Sequence, residues 1–114
     1  IAYVNAHGTS TPLNDLGGAQ AINSVFGDTG PLVSSTKGIT GHTLGAAGAI
    51  EAVAVILAMQ KSLIPPTAGF TNPDPEMPEI NLVHGQPVPW SPAPSISNSF
   101  GFGGHNGCLV IGPA

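Results

Sequence analysis

The sequence predicts an α/β layered domain, and three observations carry that prediction. A strand, a glycine and hydroxyl-rich loop and a helix follow one another at the start; a long helix that is apolar almost all round fills the middle; and two strands about a glycine turn close the chain. Early alternation of strand and helix with strands at the end is the pattern of a sheet covered by helices.

The elements follow in order. Ile1 to Ala6 (IAYVNA) carries strand formers and runs into the turn His7-Gly-Thr-Ser-Thr-Pro12. Asp15 offers an N-cap, and Ala19, Ala21, Ile22, Val25 and Phe26 recur at helical spacing up to Gly27. Leu32 to Ser35 is a short second strand, and Thr36 to Gly41 a loop leading into a helix from about His42 to Lys61. An apolar surface on every side predicts burial of that helix between layers, and the small residues from Gly45 to Ala49 permit close backbone approach. Pro65, Pro66, Pro73, Pro75 and Pro78 predict an irregular connection, because proline lacks the backbone donor. Ile80 to Val83 reads as a short strand. Ser95 to Phe100 and Cys108 to Ile111 read as strands of a hairpin around Gly101-Phe-Gly-Gly104. There is no internal repeat.

Composition sets limits on function. A 114-residue chain removes only about two thirds of its unfolded surface from water. Charged residues make up 7% and hydrophobic residues 41%, too few charges to clothe a whole surface, so the chain reads as a piece of something larger. Ile1 already reads as the body of a strand, which points to a chain cut from a longer polypeptide and leaves no targeting segment to judge. The net charge is −4, with Lys37 and Lys61 the only lysines or arginines, so no basic stripe exists for a nucleic acid backbone. The apolar run Thr43 to Met59 holds Glu51 near its middle, and a membrane span there would bury a carboxylate in lipid. The single cysteine, Cys108, excludes an internal disulfide and fits a reducing cytoplasm.

Three ionisable groups stand in one of the most apolar stretches, SSTKGITGHTLGAAGAIEAV from Ser34 to Val53. His42 sits where the long helix is expected to begin, so the positive end of the helix dipole disfavours its protonated form. A neutral imidazole there either polarises a carbonyl or enolate oxygen or simply caps the helix. Lys37 and Glu51 are each costly to bury alone and far less so as a hydrogen-bonded pair, which makes a structural ion pair the preferred reading over two separate, partly solvated charges. His42 and Glu51 are nine residues apart. About 900° of helical rotation therefore sets them on opposite faces. His7, just after a strand, stands where α/β proteins keep reactive groups, or is a hydrogen-bonded loop histidine. The histidine spacing resembles no zinc signature and the ligand set is short unless His84 and His105 are recruited to complete it, and neither glycine run, Gly38 to Gly48 or Gly101 to Gly107, follows a phosphate-loop pattern. Cys108, between Gly107 and Leu-Val-Ile, reads as a small buried residue on a strand and not as a nucleophile. Oxyanion stabilisers are present without a partner nucleophile.

Taken together, Tyr3-Val-Asn-Ala-His-Gly-Thr-Ser-Thr-Pro12, Ser34-Ser-Thr-Lys-Gly-Ile-Thr-Gly-His-Thr-Leu-Gly-Ala-Ala-Gly48 with Glu51, Ile64-Pro-Pro-Thr67 with Asn72-Pro-Asp74, and Ser97-Asn-Ser-Phe-Gly-Phe-Gly-Gly-His-Asn106 resemble the β-ketoacyl-(acyl carrier protein) synthases of the ketosynthase II-like type. The resemblance spans essentially the whole chain. It implies a thiolase-like fold, in which two α/β halves build a five-layered α-β-α-β-α subunit that dimerises, with residues 1–114 as the carboxyl-terminal half-domain. It also implies an acyltransferase reaction of fatty-acid or polyketide synthesis. Malonyl-(acyl carrier protein) loses carbon dioxide and attacks an acyl thioester held on a cysteine of the amino-terminal half, so this chain alone is expected to be inactive. No cofactor is required, since the phosphopantetheine arm arrives on the carrier protein.

By position the resemblance implies that His7 and His42 hold the developing enolate oxygen and that Lys37 organises the site with Glu51. It implies that Thr9 and Thr11 bond the phosphopantetheine arm. Phe102 gates the acyl pocket, and its N–H completes the oxyanion hole. Some members hold a structural monovalent cation near the positions of Asn5, Glu51, Ser97 and Asn98. Implied partners are acyl carrier protein, malonyl and acyl thioesters, the amino-terminal half, and a second subunit in a homodimer or ketosynthase heterodimer. The alternative is a non-catalytic, chain-length-determining partner of such a heterodimer, although a partner that does no decarboxylation has no chemical need for two imidazoles. A member that decarboxylates without extending would look the same in this half. Departures from the pattern are Gly17-Gly18, where many members carry an acidic residue, and His105, where many carry threonine.

Overall fold

The computed structural model describes residues 1–114, in which a five-stranded sheet lies between two helices. In chain order the elements are β1 (Tyr3–Asn5), α1 (Pro12–Phe26), β2 (Leu32–Ser34), α2 (Lys37–Thr40), α3 (Ala47–Lys61), β3 (Leu63–Ile64), β4 (Asn81–Leu82), β5 (Val88–Pro89), β6 (Ser95–Phe100) and β7 (Asn106–Ile111). The sheet order is β4-β2-β1-β6-β7. All neighbours are parallel except the hairpin β6–β7, and β3 and β5 form a small antiparallel ribbon of their own.

Strand alternation sorts the side chains between two layers. Val4 and Val33 face α1 and pack with Ile22. Tyr3 faces the other way and packs with Val55 and Met59 of α3, Ile64 and Val83. Burial at Glu51, Val55, Ala58 and Met59 gives α3 one face against the sheet by its three- and four-residue repeat. Trp90 closes that layer, its ring edge-on to Tyr3 at 5.9 Å between centroids and its indole N–H donating to the Ala58 carbonyl.

Four expectations need correction. Helix α1 begins before Asp15: Thr11 is its N-cap, its hydroxyl accepting from the Asn14 N–H, with Pro12 next and Asp15 in the first turn. The stretch Thr36 to Gly41 is not all loop, because Lys37–Thr40 makes one helical turn. The long helix starts later than His42, with a 3₁₀ turn at Leu44–Ala46 before α3. Cys108 is exposed, since it lies on β7 at the open edge of the sheet, where Leu109 and Val110 are uncovered too.

The expected burial of the long helix between layers holds on one side only, and Ile50, Val53, Ile56 and Leu57 are exposed in this chain. Leu44–Lys61 is long and apolar enough to cross a membrane by length and composition. Its packing on the sheet through Val55 and Met59 is that of a core helix in a layered domain.

Candidate active site

Parallel strands β1, β2 and β6 end on the same edge of the sheet, so the residues that follow each of them converge there. Behind β1 comes His7, which is buried. Gly8 has φ +48°, and a Cβ on it would collide with the Ser35 side chain, so this turn requires glycine. Beyond β2, α2 delivers Lys37, and at the end of β6 comes Phe100, whose ring lies 5.7 Å from that of His7.

The buried Lys37 ammonium holds two acceptors at once. It pairs with Glu51 Oε1, which reaches it from α3, and lies 3.3 Å from His7 Nδ1. An ammonium has only protons to offer, so His7 Nδ1 is the acceptor and the proton of the neutral ring sits on Nε2. Burial first, then the charge of Lys37 and the nearby His42, push the His7 pKa below its ordinary value.

His42 meets His7 with its ring perpendicular at 5.2 Å between centroids. His42 precedes the helix, so a local contact and not the helix end fixes its tautomer. The Leu44 N–H donates to His42 Nδ1 over 3.3 Å, which again assigns the proton of the neutral ring to Nε2. Two imidazoles therefore stand 5.2 Å apart between centroids, each with Nδ1 engaged and the neutral ring's proton on Nε2. A pair of fixed donors is suited to an oxygen that gains negative charge during a reaction.

An open cavity of about 580 Å³ is bounded by His7, His42, Ser99, Phe100 and His105. A second, of about 730 Å³, runs past Thr9, Thr11 and Lys37 and shares His42 with the first. The Thr9 and Thr11 hydroxyls are bonded to each other at 2.9 Å. Their loop is tied to α1 by Asn14 Oδ1, which accepts from the Thr9 N–H, and by Asp15 Oδ1, which accepts from the Ser10 N–H. Phe102 lies outside this gathering. Its side chain is fully exposed on the turn Gly101–Gly104, and Gly101 and Gly104 reach the first cavity in its place.

Three buried oxygens find no hydrogen-bond partner: Asn5 Oδ1, Ser97 Oγ and Glu51 Oε2. Asn5 and Ser97 are register partners on β1 and β6, and they share with Tyr3 the face that α3 covers. Glu51 lies one turn before Val55 on the covering helix. Unsatisfied buried oxygens call for an explanation, and an all-oxygen set fits a hard cation. No cluster of three histidine, cysteine, aspartate or glutamate side chains is placed to hold a metal ion. Asn98 is set apart, because the next position on β6 alternates to the opposite face and lines a pocket under α1.

The structure brings together His7, His42, Lys37 and Glu51, four of the residues expected from the sequence, and adds Phe100, which the sequence does not single out because its neighbour Phe102 stands in the more recognisable glycine turn. His105, which the sequence offers as a spare metal ligand and as a departure from the family pattern, lines the histidine cavity. Cys108 lies outside both cavities.

A family profile described as "Beta-ketoacyl synthase, C-terminal domain" matches residues 1–71. The 3-oxoacyl-[acyl-carrier-protein] synthase 2 of Synechocystis sp. is 48% identical over 113 residues, which are 97% of this chain and 27% of that protein. A beta-ketoacyl synthase from Burkholderia phymatum superposes with a TM-score of 0.96 at 39% identity, over 100% of this chain and 28% of that one. The ishigamide ketosynthase/chain length factor gives 0.94 at 36%, again covering 100% of this chain and 28% of its own. The chain thus spans about a quarter of the length of the relatives it matches.

Proposed function

The chain belongs to the β-ketoacyl synthase family, matching its carboxyl-terminal domain, and from this we propose that the polypeptide carrying it catalyses a decarboxylating Claisen condensation on acyl carrier protein. The observation that carries the proposal is the pair of Nε2–H donors on His7 and His42, whose rings lie 5.2 Å apart.

In this reading an acyl group is first held as a thioester on a cysteine in the amino-terminal half of the subunit. The malonyl thioester then enters along Thr9 and Thr11, which support the phosphopantetheine arm. Its carboxylate leaves as carbon dioxide, and the electron pair of the broken carbon–carbon bond moves onto the thioester oxygen as an enolate. His7 and His42 donate to that oxygen. Burial and the Lys37 charge keep His7 neutral, so it stabilises the charge without giving up its proton. The enolate carbon attacks the acyl carbonyl, the tetrahedral oxyanion is met by backbone N–H groups including that of Phe102, and the cysteine thiolate is expelled. Lys37 and Glu51 act as positioning residues behind His7.

Asn5 Oδ1, Glu51 Oε2 and Ser97 Oγ would hold a monovalent cation, which would neutralise the inner oxygen of Glu51 and fix the carboxylate that pairs with Lys37. Residues 1–114 form one carboxyl-terminal half-domain. The exposed apolar face of α3 meets the amino-terminal half, and the whole subunit works in the cytoplasm as a homodimer or ketosynthase heterodimer.

The test is mass spectrometry of the full-length protein after exposure to acyl-(acyl carrier protein), then malonyl-(acyl carrier protein), with assay for extended product. A covalent acyl adduct outside these 114 residues together with extension supports the condensing enzyme. A folded dimer that forms neither adduct nor product overturns it in favour of the chain-length-determining partner.

A further inference from the structure

We propose that the small, mainly apolar pocket beneath α1 is a binding site for a compact, uncharged, branched aliphatic group, entered from the cavity along Thr9 and Thr11. The pocket holds about 110 Å³ between α1 and the sheet, with Ala19, Ile22, Val33, Ile80, Leu82 and Phe100 among its walls. It shares Gly8, Asp15, Ser35, Thr67, Phe70 and Met77 with the larger threonine-lined cavity, so it is a side chamber of that cavity.

Gly18 keeps the chamber open. A Cβ built there meets nothing nearer than Phe100 Cε2 at 3.9 Å, so a longer side chain at this helical position would extend into free space. At roughly 30 Å³ for each water-sized group, the chamber holds about four non-hydrogen atoms, enough for an isopropyl group. An apolar cavity of roughly 150 Å³ stays dry and takes benzene or xenon, so this smaller one suits xenon but not a phenyl ring.

The mouth adds a polar preference. Asp15 Oδ1 is engaged by the Ser10 N–H, which leaves its second oxygen to accept from a ligand. Partial burial raises the Asp15 pKa, as expected of a carboxyl facing an apolar chamber. A ligand lying along Thr9 and Thr11 with a branched group next to an N–H or O–H would seat the branch inside and donate to Asp15. Phe100 and His7 are walls common to the chamber and the histidine cavity, so an occupant bears on Phe100 where it packs against His7. All of its walls belong to this chain.

Two probes test it on the full-length protein. Crystals pressurised with xenon should show an anomalous peak between Gly18, Ile22 and Phe100. Isobutyramide should bind saturably by NMR, with shifts at the Ile22 and Leu82 methyls, whereas benzamide should not. Both signals should vanish in Gly18→Met, or in Ala19→Val should the first variant fail to fold. A wild-type protein lacking either signal, benzamide binding equal to that of isobutyramide, or signals that persist in a folded filling variant would overturn the assignment.

Discussion

Replacing Glu51 with glutamine isolates the buried ion pair. Side-chain exposure is 4% for Lys37 and 1% for Glu51, so neither charge has water to fall back on. Glu51→Gln keeps the shape and one acceptor oxygen but leaves the Lys37 ammonium with His7 Nδ1 as its other partner. Breaking a buried pair from one side costs about 3–5 kcal/mol, and the retained acceptor places this change near the lower end, about 3 kcal/mol. Urea unfolding of the full-length protein should show the midpoint falling with an unchanged slope. The double variant Lys37→Met/Glu51→Leu should recover most of that stability, because an apolar pair of similar volume has no charge to desolvate. It should not recover activity, since His7 Nδ1 has then lost its donor. A Glu51→Gln loss below about 1 kcal/mol, the range of solvent-exposed ion pairs, would refute the reasoning.

Further predictions concern titration, backbone and ion. His7 has a depressed pKa in the folded state, so as pH falls through about 6.5 the unfolded chain takes up the proton first. Stability should therefore decline below that pH and level off once the folded imidazole is protonated too, an increment missing from His7→Asn in urea midpoints compared at about pH 8 and about pH 5.5. Gly38→Ala should lower the free energy of unfolding by about 1–3 kcal/mol, because its Cβ would fall on the Ala68 carbonyl oxygen. Gly17→Ala should raise it by about 0.5–1 kcal/mol, because α1 is open there and alanine is the better helix former. If Asn5, Glu51 and Ser97 hold a monovalent cation, sodium or potassium chloride should raise the thermal midpoint above that in equimolar tetramethylammonium chloride. Equal midpoints in all three salts would remove the ion from the account.

Much of the layout was legible because it follows from local rules. The strand formers of β1, the helical spacing around Ile22 and the proline connection each point to one local structure. Lys37 and Glu51 could be paired from the cost of burying either alone, without any knowledge of their distance. What stayed hidden depends on where elements end and what covers them. The onset of α3 was misplaced because Leu44 takes φ +52° and a 3₁₀ turn intervenes, features that the run of alanine and glycine does not signal. Cys108 was misread because a strand rich in aliphatic residues looks the same at an open sheet edge as in a core. Phe100 against His7 and the orphaned oxygens of Asn5 and Ser97 come from strand register, which brings together residues ninety or more positions apart.

The central claim is that His7 and His42 together hold the oxygen on which charge develops as carbon dioxide leaves. It is tested most directly by measuring carbon dioxide release from malonyl-(acyl carrier protein) by full-length wild type and His42→Ala, alongside acylation of the cysteine. Loss of one such donor should slow decarboxylation by about 10²–10³, while the acyl adduct still forms. Carbon dioxide release at the wild-type rate in His42→Ala would contradict the account.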